Sequence, residues 1–331
     1  VGRPKVQLSR LYVIGEGLRI KEMHNQKAFG LMRFVVMMVF LSCILGSAVG
    51  QEVALTFDDL PSHGALPPEM TRLELARKII ATLKAANAPR VYGFVNAIKL
   101  EQVPEDMAVL KEWRSAGYLL GNHTYSHMSL NDNTVGSFEK DIASNEPVLQ
   151  SLMGNEDWHW FRYPFLWEGD TLEKRNQVRA YLKDHGYRVA QVTLDFEDYA
   201  WNEPYARCLA KNDQQAIGWL KSSYMSTAAE YIEVDRKMSM MLYGREIKHV
   251  MLLHLGGFET VMLPQLLDLL KQKGFKLVTL EEAESDPAYE NNPDLPLKHG
   301  GSSLEQMMEA KHLKVPPVTL KPMKELAAIC R

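Results

Sequence analysis

The chain has 331 residues, 46% hydrophobic and 24% charged, which is ample for one large core. Its formal net charge of −3 is uneven: residues 1–50 carry seven Lys/Arg against two Glu, leaving 31 basic and 39 acidic residues in 51–331, a net of −8. No basic run is present that would serve a nucleic-acid partner.

The apolar run Phe34–Leu41 continues through Ser42-Cys43-Ile44-Leu45, with Arg33 before it and Ala48-Val49-Gly50 after it. A basic flank, a short apolar segment and a small-x-small site predict an export signal cleaved before Gln51. The run is short for a membrane anchor, which must cross a hydrocarbon core of about 30 Å. Bulky Phe40 and Leu41 argue against lipid attachment at Cys43, and Met32 begins a better signal peptide than Val1 does. The mature protein is therefore expected to be periplasmic or extracellular, with no stable membrane span. Cys208 and Cys330 would remain as an even pair, which an oxidising compartment permits to bond. Oligomeric state has no sequence signal here.

Val53–Phe57 reads as the first strand and runs directly into Asp58-Asp59, ahead of the Leu60-Pro61-Ser62-His63-Gly64 loop. Leu73–Ala86 has helical spacing, Arg90–Val95 is strand two, and Glu105–Ala116 is a helix stopped by Gly117. Tyr118–Gly121 is strand three and leads into Asn122-His123-Thr124-Tyr125-Ser126-His127. A helix over Val135–Met153 precedes a short strand into Trp160-Phe161-Arg162. Leu172–Asp184 is helical, Tyr187–Leu194 is strand five, and His249–Leu253 is strand six. Leu263–Lys273 is helical and Phe275–Leu280 is the last strand. Helix and strand alternate, and the strands are largely apolar without alternation, so the sheet should be parallel and covered.

Between Tyr199 and Lys248 the rhythm breaks. A helix near Gln214–Tyr231 is expected there, followed by a separate Met-rich segment, Lys237–Tyr243, packed beneath it; a hydrophobic lid over the site is the alternative. Residues 286–331 read as a tail wrapped on the domain, with a helical piece at Ser303–His312. The expected organisation is an N-terminal extension and signal over 1–50, a catalytic domain over 51–285 that includes a 200–247 insertion, and the tail.

The polar signals share one address, just past the C-terminal ends of strands: Asp58 and Asp59, His123 and His127, Arg162, Asp195 and Asp198, and His254. In a barrel of parallel strands that is the catalytic face. Two adjacent buried carboxylates repel unless a cation or proton resolves the conflict. His123 and His127, four apart, present both imidazoles on one side. Two His and a carboxylate suit Zn²⁺ or Fe²⁺ and leave positions open for water and substrate. His63 could reach the site or could simply stabilise its loop. His159, His185, His249, His299 and His312 read as surface or packing residues; Asp195 could belong to the site or be a simple helix cap.

Five stretches in order resemble the motifs of the polysaccharide deacetylase (NodB-homology, carbohydrate esterase 4-like) family: Thr56-Phe57-Asp58-Asp59, His123-Thr124-Tyr125-Ser126-His127, Arg162-Tyr163-Pro164-Phe165, Asp195-Phe196-Glu197-Asp198-Tyr199 and Leu252-Leu253-His254. The resemblance implies a distorted (β/α)₇-type barrel. It implies Asp58 as catalytic base, Asp59, His123 and His127 as ligands of one divalent metal, and Arg162 as the group that holds the base. It further implies the Phe165 N–H as an oxyanion donor, His254 as the acid, Asp198 as its support and Tyr199 as a wall of the acetyl pocket. Leu255 in the Leu255-Gly256-Gly257 turn could complete that pocket. The metal is expected to be Zn²⁺, with Co²⁺, Mn²⁺ or Fe²⁺ as alternatives. The implied reaction is N-deacetylation of an amino-sugar polymer such as peptidoglycan or a chitin-like glycan. An O-acetyl esterase, a non-carbohydrate amide hydrolase and a non-catalytic glycan-binding module are the competing readings. Leu60 replaces the Gly that commonly follows the Asp pair, Phe165 a Tyr, and Tyr199 a Trp.

Overall fold

The computed structural model describes residues 51–331 and, of the first fifty, Gly2 alone. The expected export signal lies outside the described residues. The sheet is built around β1 (Gln51–His63), in which every residue from Val53 to Ser62 is buried. Along one edge, β6 (His249–Gly256) pairs with it in parallel, from Val53 opposite His249 to Asp58 opposite His254. The other edge is divided: β7 (Phe275–Val278) pairs with Gln51–Ala54, and β2 (Tyr92–Val95) takes over from Thr56. From β2 the sheet continues in parallel through β3 (Leu119–Asn122), β4 (Trp160–Phe161) and β5 (Arg188–Val189).

Strand five is shorter than the expected Tyr187–Leu194. Its partner β4 has two residues, so the ladder stops at Ala190, whose N–H donates to Phe161 O. The chain then crosses to β6, where Thr193 and Leu194 donate to Val250 O and Leu252 donates to Leu194 O. A single bridge thus stands where a ladder would close the ring. The result is a partly curled, distorted half-barrel of seven parallel strands; the alternation implied the parallel sheet, and the family resemblance the distorted barrel. A side chain on Gly121 would lie 2.8 Å from Trp160 O and 2.6 Å from the Phe94 ring, so only glycine lets β3 lie there.

Helices cover the sheet: α1 (Arg72–Ala85), α2 (Ile98–Gln102), α3 (Met107–Ser115), α4 (Val135–Met153), α5 (Leu172–Asp184), α6 (Asn202–Ala210), α7 (Gln214–Tyr243), α8 (Glu259–Gln272) and α9 (Leu280–Glu284). Two more, α10 (Ser303–Ala310) and α11 (Met323–Ala328), lie in the tail. Thr71 with Glu74, Thr279 with Glu282 and Ser302 with Glu305 form reciprocal capping boxes, which fix where α1, α9 and α10 begin. Leu280, expected to end the last strand, instead begins α9, because the Thr279 box starts a helix there.

The insertion differs from expectation. The Met-rich segment does not pack beneath a separate helix; it is the last turns of α7 itself. No Gly or Pro interrupts the chain from Trp219 to Tyr243, and Gly244, at φ +67°, ends the helix. Met238 is buried with Val234, Leu242, Leu304, Met307 and Met308, tying α7 to the tail, while Met240 and Met241 are exposed. The tail packs against the barrel. Arg175 donates to Leu295 O and Gln306 Oε1, Arg207 to Leu326 O and Ile329 O, and Cys208 is disulfide-bonded to Cys330. No helix among the described residues is long and apolar enough to cross a membrane.

Candidate metal centre and active site

The Asp pair lies within β1 rather than past its end. The register with β2 shifts between Phe57 and Leu60, and that with β6 shifts after Asp58, so the two acids sit at a bulge. Bulges re-aim side chains, and this one turns both acids toward the strand ends of the barrel. Leu60, where the family pattern has Gly, is fully buried over Gly93 and does not reach the site: a side chain on Gly93 would meet Leu60 at 2.5 Å. Asp59, Thr124, His127, Phe165, Leu166 and Glu197 have φ between +55° and +67°. Each such residue costs about 1–3 kcal/mol, and five of the six, all but the buried Thr124, line one cavity, a place where geometry is imposed by the surroundings.

Asp59, His123 and His127 bring one ligand atom each within 4.8 Å of one another. Asp59 Oδ1 lies 3.9 Å from His123 Nε2 and 3.5 Å from His127 Nε2. That oxygen is buried and accepts no hydrogen bond among the described residues. The His123 Nδ1–H donates to Arg162 O at 2.8 Å, which leaves the Nε2 lone pair facing Asp59. Burial pushes both imidazoles down to about 4, so they are neutral at pH 7. Burial raises the Asp59 carboxyl, but Lys99 and the surrounding histidines outweigh it and hold the group well below the usual range. An ionised carboxylate with an orphaned oxygen, facing two neutral ring nitrogens, fits a divalent cation.

Asp58 is nearly fully buried, 3.7 Å from His123 Nε2 and 3.2 Å from Arg162 Nη1. Arg162 uses every nitrogen: Nε donates to Ala190 O, Nη1 to Asp58 and Nη2 to Thr56 Oγ1, with the guanidinium over the Phe94 ring. Burial raises the Asp58 carboxyl and Arg162 only partly offsets that. On the other side, Asp198 brackets His254, accepting from its backbone N–H at 2.8 Å and from Nδ1–H at 2.7 Å. Burial works against the charge on His254, but Asp198 prevails and raises it to about 9.

Asp58, Asp59, His123, His127 and His254 line one cavity of about 480 Å³, together with His63, Phe165 and Tyr199, while Arg162 and Asp198 support it from behind through Asp58 and His254. The Tyr199 ring lies 5.2 Å from the His254 ring, and the Phe165 ring 4.4 Å from that of His127. His63 reaches the site, with Nε2 3.8 Å from Asp59 Oδ2. Asp195 also lines the cavity. It caps no helix but accepts the Glu197 N–H in a local turn, and burial raises it to about 7.

Leu255 is a correction: it is fully buried in the core and does not line the cavity, whereas Leu252 does. Side chains alternate along β6, so Leu252 and His254 share the cavity face and Leu255 takes the other. His249 is buried against Thr193, away from the site, as expected for a packing residue.

Several site residues had no sequence signal. Lys99 on α2 donates to Asp59 O and Ser62 O and stands 3.7 Å from Asp59 Oδ1. Tyr231 of α7 and Gly300, Gly301, Glu305 and Lys321 of the tail form one wall. Gly300 packs so closely that a side chain there would meet Phe165 O at 2.2 Å.

The sequence model described as polysaccharide deacetylase matches residues 46–190. A chitin deacetylase of Arthroderma benhamiae is 24% identical over 239 residues, covering 72% of this chain and 53% of that protein. A peptidoglycan-N-acetylglucosamine deacetylase of Bacillus cereus is 30% identical over 148 residues, covering 45% and 46%. The chain spans about half the length of the curated relatives it matches. Among solved structures, the chitin deacetylase of Colletotrichum lindemuthianum is similar with a TM-score of 0.47 and 24% identity, over 70% of this chain and 88% of that one.

Proposed function

Because the chain belongs to the polysaccharide deacetylase family, we propose that it is a metal-dependent hydrolase that removes N-acetyl groups from an amino-sugar polymer. Chitin and peptidoglycan are the polymers specified by the names of the relatives, and both carry such groups. The observation that carries the reading is the orphaned Asp59 Oδ1 facing His123 and His127, with a candidate base and a candidate acid on either side. A divalent cation held by Asp59, His123 and His127, Zn²⁺ before Co²⁺, Mn²⁺ or Fe²⁺, would polarise the acetyl carbonyl and acidify water.

The chain's own groups divide the proton work. Asp58, oriented by Arg162, takes a proton from the attacking water. His254, charged at neutral pH and fixed through Nδ1 by Asp198, presents Nε2–H to the departing amine. The Phe165 N–H serves the oxyanion, and Tyr199 walls the acetyl group. Export of residues 51–331 after removal of the leader would place this activity outside the cytosol, where the Cys208–Cys330 bond persists.

The test is mass spectrometry of chitin oligomers, peptidoglycan fragments and O-acetylated xylan after incubation with metal-loaded protein. Loss of N-acetyl groups from an amino-sugar oligomer is the expected result. Loss of O-acetyl groups alone would assign an esterase, and no acetate from any substrate would overturn the reading.

A further inference from the structure

Lys321 lines two cavities at once. Its ammonium pairs with Glu197 Oε1 on the rim of the active-site cavity, and its flank joins Thr319, Leu320 and Pro322 in one wall of a second cleft of about 460 Å³. The facing wall is α7, which contributes Trp219, Ser222, Ser226 and Thr227; offsets of three, seven and eight put these on one helical face. The tail is fastened against that face. Glu230 accepts from the Thr319 N–H and hydroxyl and from the Leu320 N–H, at 2.6–2.9 Å.

Three features distinguish this cleft from an ordinary seam. Trp219 is 37% exposed. Thr227 is 2% exposed, and its Oγ1 has no hydrogen-bond partner among the described residues, a buried polar atom that a ligand hydroxyl would satisfy. Its charged lining residues are Lys321, already paired with Glu197, and Glu325, so nothing there selects a phosphate or a polyacid. An aromatic face beside hydroxyl groups with little net charge matches a neutral pyranose, whose C–H face packs on an indole while its hydroxyls exchange hydrogen bonds with Ser and Thr.

We propose that the cleft is a saccharide subsite. It holds a neutral sugar unit of the same glycan chain whose acetylated unit enters the active site, the chain passing over the half-exposed Lys321 stem. The inference rests on the glycan-deacetylase reading. Both walls come from the insertion and the tail, outside residues 46–190 that the family model matches.

The experiment compares a chitin hexasaccharide and a six-unit peptidoglycan glycan strand, each with its own disaccharide, as substrates of wild type, Trp219→Ala and Ser226→Trp. On whichever hexamer the wild type deacetylates, Trp219→Ala should lower kcat/KM roughly tenfold through KM, the scale of one lost stacking platform, and leave the disaccharide unchanged. Ser226→Trp, at an exposed helix position, should fill the cleft and give the same pattern. Equal kcat/KM for Trp219→Ala and wild type on the hexamer would overturn the subsite and leave the deacetylase reading standing. Absence of deacetylation of every saccharide by the wild type would overturn that reading, and the subsite with it.

Discussion

Nδ1 of His254 stands 2.7 Å from Oδ1 of Asp198, and the other oxygen of that carboxylate takes the His254 backbone N–H at 2.8 Å. One carboxylate thus fixes both the position and the charge of the imidazole. The folded value near 9 exceeds the ordinary 6.5, so its stabilising contribution is fully present below about pH 6.5 and is lost as pH rises through about 9. Asp198→Asn removes the largest charge favouring the imidazolium. NMR titration of the metal-free variant should find the His254 midpoint lowered by at least about one unit. An unchanged midpoint would mean that Asp198 does not set it.

Arg162 is 1% exposed and bonded through every nitrogen, so its loss strands a buried acid. Arg162→Ala should cost about 3–5 kcal/mol in urea unfolding. Arg162→Lys keeps the charge but cannot bond Ala190 O, Thr56 and Asp58 together, so it should recover only part of the loss. Stability equal to wild type in either variant would mean that the guanidinium network contributes little.

The fold was legible because the apolar strands and the cap residues were local signals: α4 and α5 span the residues their periodicity predicted. The candidate site was legible because its groups follow apolar runs near the C-terminal ends of strands, although Asp58, Asp59 and His254 lie within their strands rather than past them. What escaped depends on contacts distant in sequence. Leu255 fell on the wrong face because an inferred turn after His254 is in fact two more residues of strand, and strand parity decides where a side chain points. Lys99 and Lys321 carry no motif; each gains a role only when α2 or the tail is folded against the rim. The continuity of α7 carries no local signal, because its Met-rich end has the composition of gap filler, whereas Met238 lies on a helix face packed on the tail.

His123→Ala removes a ligand whose Nδ1–H is already committed to Arg162 O. Calorimetric titration with Zn²⁺ should register at least about a hundredfold weaker binding, and the metal-dependent rise in Tm should shrink accordingly. His249→Ala, at an equally buried histidine remote from Asp59, should leave affinity intact. Undiminished affinity in His123→Ala would remove it from the ligand set.

The Cys208–Cys330 bond closes a loop of 122 residues that includes α7 and the whole tail. Cys330→Ser should cost about 2–5 kcal/mol, read as a lower urea midpoint than that of the oxidised wild type. If reduction and the substitution both leave the midpoint unchanged, the tail is held by its other contacts alone, among them the Arg207 bonds to Leu326 O and Ile329 O.

Asp58 and His254 reach the same cavity from paired positions on β1 and β6, but their surroundings assign them opposite tasks. Asp58 adjoins a ligand, while its own oxygens are engaged by Arg162. His254 is engaged by Asp198 and carries a proton at neutral pH. Asp58→Asn and His254→Ala should therefore both retain metal, and each should lose roughly 10²–10⁴-fold on an N-acetyl substrate, the scale of positioned acid–base groups. A matched acetyl ester separates them. An alkoxide or phenolate leaves with less protonation than an amine, so His254→Ala should recover proportionally more kcat/KM on the ester. Asp58→Asn should stay poor on both, because attack by water needs the base in either case. An equal loss on ester and amide in His254→Ala would mean that it does not protonate the leaving group. Loss of metal in Asp58→Asn would mean that the acid pair is not divided into base and ligand.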